Sequence, residues 1–229
     1  YMIMGGIPYY LDMLDPELSV NRNIDELFFA SNAPLRAEYE FLFRSLFSNS
    51  DRYRKVVEIL SQKLKGMTRK EILETLKSDG GSLSKVLEDL SACDFIRSYS
   101  AIGKKNKSCI YQLTDLFCLF HIRLVTHERE QDEHYWTNLP EGMKNAWSGY
   151  AFEQVCLHHI PQIKNKLGIS GVFSNVFSWN SGPFTDDDGT KWNGGQIDLL
   201  MDRRDDVINI CEIKYSSEQY VIPKDHEHH

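Results

Sequence analysis

A predicted hairpin in the last third of the chain constrains the fold more than any other feature of the sequence. Two largely apolar runs, 196–202 and 207–215, are separated only by the polar residues Arg203-Arg204-Asp205-Asp206. Runs of this length with so short a polar connection predict two antiparallel strands. The C-terminal third of the chain therefore contains a sheet.

Three charged residues interrupt this apolar hairpin. Asp198 lies between Ile197 and Leu199 in the first predicted strand, and Glu212 and Lys214 lie two residues apart near the end of the second. Strand alternation places Glu212 and Lys214 on one face. Charges in such a strand are costly unless they are paired or bind a cation. Carboxylate oxygens beside an ammonium group suit Mg²⁺ (or Mn²⁺) and a phosphate; the alternative is an ordinary ion pair at a sheet edge, because E-x-K triplets are common.

The rest of residues 147–229 predicts a helix followed by a strand and a loop. Residues 150–166 have a helical pattern that Pro161 bends or breaks, unless a new helix begins there. Residues 172–179 predict a strand, and 181–193, with three consecutive aspartates, predict a polar loop.

Residues 51–113 predict a winged helix-turn-helix domain. A helix over 53–63 is followed by a capping box in which Thr68 precedes Glu71 by three residues. Gly80-Gly81 then separates this second helix from a third one that starts at Ser82. Two short alternating runs, 95–99 and 109–113, flank a Gly/Lys/Asn loop and predict the hairpin wing.

The predicted wing carries the candidate DNA-binding residues Lys104, Lys105 and Lys107. In a DNA-binding winged helix, the third helix enters the major groove and the basic wing contacts the backbone. Residues 51–112 hold 13 Lys/Arg against 8 Asp/Glu, although the whole chain has a net charge of −7. This local excess favours contact with phosphates. The acidic third helix, with Glu88 and Asp89, favours the alternative of a protein-contact module.

Two further regions complete the predicted organisation. Residues 1–50 predict amphipathic helices over 23–30 and 38–47, and 114–146 predict a helical linker with a buried apolar start. The five scattered cysteines have no zinc or redox spacing and indicate reduced thiols in a cytoplasmic protein. No run of about 18 apolar residues occurs, which argues against a membrane partner. His226, His228 and His229 are excluded from the candidate sites, because their pattern is similar to part of a purification tag.

The order of elements in residues 147–229 resembles the core of the PD-(D/E)xK nucleases. The resemblance rests on a helix with Glu153, a strand, the run Gly195-Gln196-Ile197-Asp198, a hairpin turn and Cys211-Glu212-Ile213-Lys214. It implies that Asp198 and Glu212 bind the metal, that Lys214 is catalytic, and that Glu153 supplies a carboxylate from the first core helix. The proline of the motif is absent here. The expected fold class is α+β or mixed: a winged helix followed by an α/β restriction-endonuclease-like domain with a mixed sheet.

A narrower resemblance covers nearly the whole chain. The run Gly5-Gly6-Ile7-Pro8-Tyr9-Tyr10-Leu11 looks like the end of the ATPase module in a family of archaeal and bacterial AAA-like ATPases. In that family a winged helix and a PD-(D/E)xK-like domain of unknown function follow. The matching residues of the last domain are Trp147, Phe152-Glu153, Leu167-Gly168-Ile169, Trp179, Gln196-Ile197-Asp198-Leu199-Leu200 and Glu212-Ile213-Lys214-Tyr215.

The family resemblance implies that ATP is bound only by an ATPase module outside residues 1–229, because the chain contains no G-x-x-x-x-G-K-[ST] loop. It also implies a nuclease-like domain truncated at its C-terminus. The expected function is Mg²⁺-dependent hydrolysis of phosphodiester bonds in DNA. The alternative is a non-catalytic DNA- or protein-binding regulatory arm of the ATPase. Expected partners are DNA and the chain's own N-terminal ATPase module, with homo-oligomerisation left open.

Overall fold

A computed structural model describes residues 1–77, 80–100, 109–126, 132–216 and 218–221 of this mixed α/β protein. The described residues divide into two compact units, 1–100 with 109–145 and 146 onward. In the described residues each unit has its own helices, with one three-stranded antiparallel sheet in the first unit and a three-stranded and a two-stranded one in the second. Within the described residues, no helix is both long and apolar enough to cross a membrane.

The first unit is mainly helical. Its elements are α1 (Pro8–Leu11), α2 (Val20–Ile24), a π-helical segment (Asp25–Phe29), α3 (Pro34–Leu46), α4 (Ser50–Ser61), β1 (Met67–Thr68), α5 (Arg69–Leu76), a 3-10 turn (Gly80–Ser82), α6 (Leu83–Ala92), β2 (Ile96–Ser100), β3 (Cys109–Leu113), α7 (Leu116–Phe120), a second π-helical segment (His121–Val125) and α8 (Tyr135–Asn138). The predicted helices over 23–30 and 38–47 are confirmed within α2, the first π-helical segment and α3.

Local sequence signals fix the middle of this unit. The predicted capping box is confirmed, since Thr68 accepts a hydrogen bond from the Glu71 amide and the Glu71 carboxylate accepts one from the Thr68 amide. The predicted hairpin is also confirmed: β2 pairs antiparallel with β3, from Ile96 opposite Leu113 to Ser100 opposite Cys109. The sheet order is β1-β3-β2, with all strands antiparallel.

Aromatic side chains form much of the core of the first unit. Phe28 lies 5.0 Å from Phe120 between ring centroids, and Phe117 lies 4.8 Å from Tyr10. All four side chains are buried. Residues from distant parts of the sequence meet in this cluster, because α1 and the first π-helical segment contribute one ring each and α7 contributes two. The apolar run after residue 114 was predicted to be a buried helix, and its side chains do form part of the core.

The second unit is a sheet with helices. α9 (Glu141–His158) contains the boundary between the units, and it is followed by α10 (Ile160–Lys166), β4 (Ser174–Ser181), β5 (Phe184–Thr185), β6 (Lys191–Trp192), β7 (Gly195–Arg203) and β8 (Ile208–Cys211). Pro161 lies in the first turn of α10, so the predicted helix is divided there and a new one begins. Ile169, Leu199 and Met201 form the buried core, with partly buried Leu157, Ile160, Ile163, Val176, Cys211 and Ile213 around it.

The structure corrects three expectations in this unit. The sheet β4-β7-β8 is antiparallel throughout the described residues rather than mixed, since each strand runs opposite to its hydrogen-bonded neighbour. The last strand ends at Cys211, so Glu212 and Lys214 follow β8 instead of lying within it. The predicted polar loop 181–193 contains a small antiparallel hairpin, β5–β6.

Candidate metal and lysine site

The register of β7 and β8 brings Asp198 and Glu212 to the same end of the hairpin. Leu199 is the partner of Cys211 in the antiparallel pair, and Leu200 is the partner of Ile210. Asp198 precedes Leu199 by one residue, and Glu212 follows Cys211 by one residue. Both carboxylate residues therefore adjoin the last pair of the ladder, at the point where β8 ends.

Asp198 is a buried carboxylate with two hydrogen-bond donors. Asp198 is only 7% exposed to solvent. The Gln196 side-chain amide donates to Oδ1 at 3.0 Å, and the backbone amide of Ile213 donates to Oδ2 at 2.9 Å. A buried charge needs such partners, because burying a charge without them costs several times more free energy than burying an unpaired neutral polar group. The bond to Ile213 also ties Asp198 to the segment that carries Glu212 and Lys214.

Lys214 is paired with the neighbouring carboxylate. Its Nζ forms an ion pair with Oε1 of Glu212, and both side chains are partly exposed. The hydrogen bond that Lys214 donates to Glu212 raises the pKa of Lys214, as do the negative charges of Glu212 and Asp198, while partial burial opposes this shift. Lys214 is therefore a protonated ammonium group at neutral pH, and it lies within the electrostatic reach of both carboxylates.

The donor set of this site fits Mg²⁺. That ion prefers hard oxygen ligands and is commonly held by one or two carboxylates together with substrate phosphates and water. Asp198 and Glu212 supply two such carboxylates, and each oxygen keeps a second lone pair besides the one used in the hydrogen bonds above. The side chains present are thus chemically suited to a hard divalent cation.

Glu153 does not complete a three-carboxylate site. Among the described residues, no three His, Cys, Asp or Glu side chains are placed to hold one metal ion together. Glu153 lies on α9, where its charge adds to the effect of burial in raising the pKa of Cys156. The structure therefore brings together Asp198, Glu212 and Lys214, and it does not join Glu153 to them as a common ligand.

The predicted DNA-binding lysines Lys104, Lys105 and Lys107 lie outside the described residues, as do His226, His228 and His229. On α6, Asp89 is engaged within the first unit. It accepts a hydrogen bond from the Tyr53 hydroxyl at 2.6 Å and pairs with Lys85 at 3.4 Å. One of the two acidic residues of α6 is thus used in structural contacts.

Sequence reasoning missed the residues that hold Asp198 in place. Gln196 lies two residues before Asp198 and shares its face of β7, so strand alternation alone could have indicated it. The hydrogen bond from the backbone amide of Ile213 could not be predicted from the sequence, because it depends on the path that the chain takes after β8. The exposed rings of Phe184 and Trp192 on the β5–β6 hairpin were also missed.

Comparisons with protein-family models, with curated proteins and with solved structures give no match to this chain. The chemistry of Asp198, Glu212 and Lys214 is therefore the basis on which a class of protein can be assigned.

Proposed function

We propose that the second unit is a Mg²⁺-dependent nuclease domain that hydrolyses phosphodiester bonds in DNA. The observation that carries this proposal is the buried carboxylate of Asp198, fixed by two hydrogen bonds beside the Glu212–Lys214 ion pair. Two carboxylates and an ammonium group at one end of a hairpin are what metal-assisted phosphoryl chemistry requires. A Glu212–Lys214 ion pair at a sheet edge does not by itself account for the buried carboxylate of Asp198 next to it.

Each residue has a distinct role in this proposal. Asp198 and Glu212 would hold the ion, and a bound Mg²⁺ supplies a polarised phosphoryl oxygen and a bound water of lowered pKa. Lys214, protonated and close to both carboxylates, stabilises the negative charge that develops on the phosphoryl oxygens. The hydrogen bond from Ile213 keeps Asp198 pointing at the same place in the free protein. The site is therefore organised before substrate arrives.

The first unit supports a DNA-binding role beside the proposed nuclease. Its elements follow the order α4, β1, α5, α6, β2, β3, with the sheet order β1-β3-β2. This order is typical of a winged helix, whose third helix here is α6. All five cysteines are free thiols, which fits a protein that works in the cytoplasm. In the longer protein that the sequence resembles, an ATPase module would drive or gate this activity.

Two substitutions test the proposed nuclease. Lys214→Ala should reduce nicking of supercoiled plasmid by about 100-fold or more in Mg²⁺ or Mn²⁺, because a preorganised charge at the transition state is removed. Asp198→Asn should abolish cleavage and weaken Mn²⁺ binding in calorimetry. Lys166→Ala is the matched control, since Lys166 is an exposed lysine of α10 in the same unit. Equal nicking by wild type, Lys214→Ala and Lys166→Ala would refute the proposal.

A second candidate function is a non-catalytic arm that binds DNA or protein. The observation that favours it is the lack of a third metal-binding side chain beside Asp198 and Glu212 in the described part of the chain. In this case the chain binds DNA, and neither Mg²⁺ nor Mn²⁺ yields nicks above the level of the Asp198→Asn protein. The same plasmid assay, combined with a DNA-binding measurement, therefore separates the two functions.

A further inference from the structure

The β5–β6 hairpin presents two aromatic rings to solvent. Phe184 and Trp192 are cross-strand partners, and their rings are stacked with centroids 6.5 Å apart and planes inclined by 16°. Phe184 is 48% exposed and Trp192 is 53% exposed. Two adjacent exposed rings on a hairpin of two-residue strands contribute nothing to a core. They form a small apolar surface that is available for contact, which we call the aromatic pair.

The turn of this hairpin fixes the indole ring. The carboxylate of Asp186 accepts hydrogen bonds from the Trp192 indole N–H at 2.7 Å, from the Thr190 amide at 2.8 Å and from the Asp188 amide at 3.2 Å. These bonds lower the pKa of Asp186, and the indole bond contributes most. Because the indole N–H is already satisfied, Trp192 offers its ring faces rather than a hydrogen-bond donor. A ring held in this way loses little entropy on binding.

The hairpin lies at the end of the sheet that carries the candidate site. β4 leaves the sheet at Ser181, which pairs with Gly195 at the start of β7, and the hairpin connects these two positions. Asp198 is three residues into β7 from the same end. Trp192 precedes Asp198 by six residues, so a fully extended chain would separate them by about 20 Å. A nucleic-acid strand with one phosphate at the carboxylates would reach the aromatic pair within a few nucleotides.

The acidic residues of the turn restrict which side of a nucleic-acid strand can approach the aromatic pair. Asp187 and Asp188 are exposed in the turn between β5 and β6, and their charges repel phosphate groups. A strand is therefore favoured only with its bases turned towards the hairpin. Every base has an aromatic face, and stacking on a protein ring does not depend on sequence. A continuous duplex hides these faces between its base pairs, so unpaired bases fit this surface and paired bases do not.

We propose that Phe184 and Trp192 form a stacking platform for unpaired bases, which makes single-stranded or locally unpaired DNA the substrate class of this site. This inference rests on the proposed nuclease function for its location, but stacking itself needs no catalysis. The aromatic pair selects the strand by its exposed bases, and Asp198, Glu212 and Lys214 act on a phosphate a few nucleotides away. The hairpin thus determines substrate class and the carboxylate site determines chemistry.

Binding without metal tests the platform separately from cleavage. Anisotropy of a labelled oligothymidine of about 12 nucleotides is measured with the 229-residue chain in EDTA, and a matched strand of abasic sites provides phosphates without bases. Trp192→Ala should weaken oligothymidine binding by about tenfold. The same substitution should leave the affinity for the abasic strand unchanged. Trp192→Phe should retain most of the affinity, because a stacking ring remains.

Phe41→Ala is the control for a general loss of exposed aromatic surface. Phe41 is 58% exposed on α3 in the first unit, and its replacement should leave oligothymidine affinity unchanged. Equal weakening of the oligothymidine and abasic strands by Trp192→Ala would refute stacking. So would a Trp192-dependent affinity for an oligolysine peptide in the absence of oligothymidine binding, since that result identifies a basic protein partner. Trp192-dependent binding of oligothymidine without plasmid nicking would support the platform while refuting the nuclease.

Discussion

Asp198 has a structural role as well as a proposed chemical one, and the two can be separated by choice of substitution. Its two oxygens accept hydrogen bonds from Gln196 and from the backbone of Ile213. An asparagine can keep both bonds if the Gln196 amide turns to present its oxygen, because the Asn oxygen then accepts from Ile213. An alanine leaves the Ile213 amide without that partner. Asparagine therefore removes the charge and preserves the contacts.

The stabilities of two Asp198 variants should consequently differ. Asp198→Ala should lower the free energy of unfolding by about 1–2 kcal/mol, since a bond to a buried carboxylate is lost. Asp198→Asn should cost less. Urea unfolding measures both, and Asp202→Ala is the matched control, because Asp202 lies on the same strand but is exposed. If Asp198→Ala and Asp202→Ala have the same small effect, the Ile213 bond does not stabilise the unit.

At the scale of single elements, the start of α5 depends on one capping box. Thr68→Ala should lower the free energy of unfolding by about 1 kcal/mol, because it removes the hydroxyl that caps the Glu71 amide. Thr75→Ala makes the same chemical change in the same helix, at a hydroxyl that only donates to the Glu71 carbonyl. Chemical denaturation should show a much smaller effect for Thr75→Ala. Equal losses would mean that the cap contributes nothing specific.

The same capping box makes the stability of α5 depend on pH. Hydrogen bonds from Lys63 and then from Thr68 lower the pKa of Glu71 from 4.5 to about 2. Because the folded pKa is below the unfolded one, this contribution is fully present above about pH 4.5 and is lost as the pH falls towards 2. Glu71→Gln should be less stable than wild type at pH 7, and the difference should shrink between pH 4.5 and 2. A constant difference across that range would contradict the assigned pKa.

The elements that could be predicted from sequence are those fixed by local signals. The Thr68–Glu71 box and the β2–β3 and β7–β8 hairpins all follow from short patterns that the structure contains. The β5–β6 hairpin could not be predicted, because two-residue strands are too short for alternation and their turn is held by hydrogen bonds to the Asp186 carboxylate. The end of β8 at Cys211 was missed for a related reason: the apolar pattern continues through Ile213, whose amide bonds to Asp198 instead of a strand neighbour.

At the scale of the whole molecule, the two units have cores of very different composition. Aromatic side chains from several helices fill the first unit, whereas three buried aliphatic residues, Ile169, Leu199 and Met201, form the centre of the second. Apolar burial is the main favourable term in folding, so the smaller core stabilises its unit less. We therefore expect the unit that carries the candidate site to be the less stable of the two. Variants there should be compared at a temperature at which the second unit stays folded.

Because each unit has its own core, a cavity created in one unit should lower the stability of mainly that unit. Leu199→Ala and Leu87→Ala each remove a leucine that is 1% exposed, the first in β7 and the second in α6. Each should cost about 2–5 kcal/mol within its own unit. Hydrogen exchange should show lost amide protection in β4, β7 and β8 for Leu199→Ala, with α3–α6 unchanged, and the reverse pattern for Leu87→Ala. If either variant lowers protection equally in both units, the chain unfolds as a single cooperative body and the independence inferred from the cores is wrong.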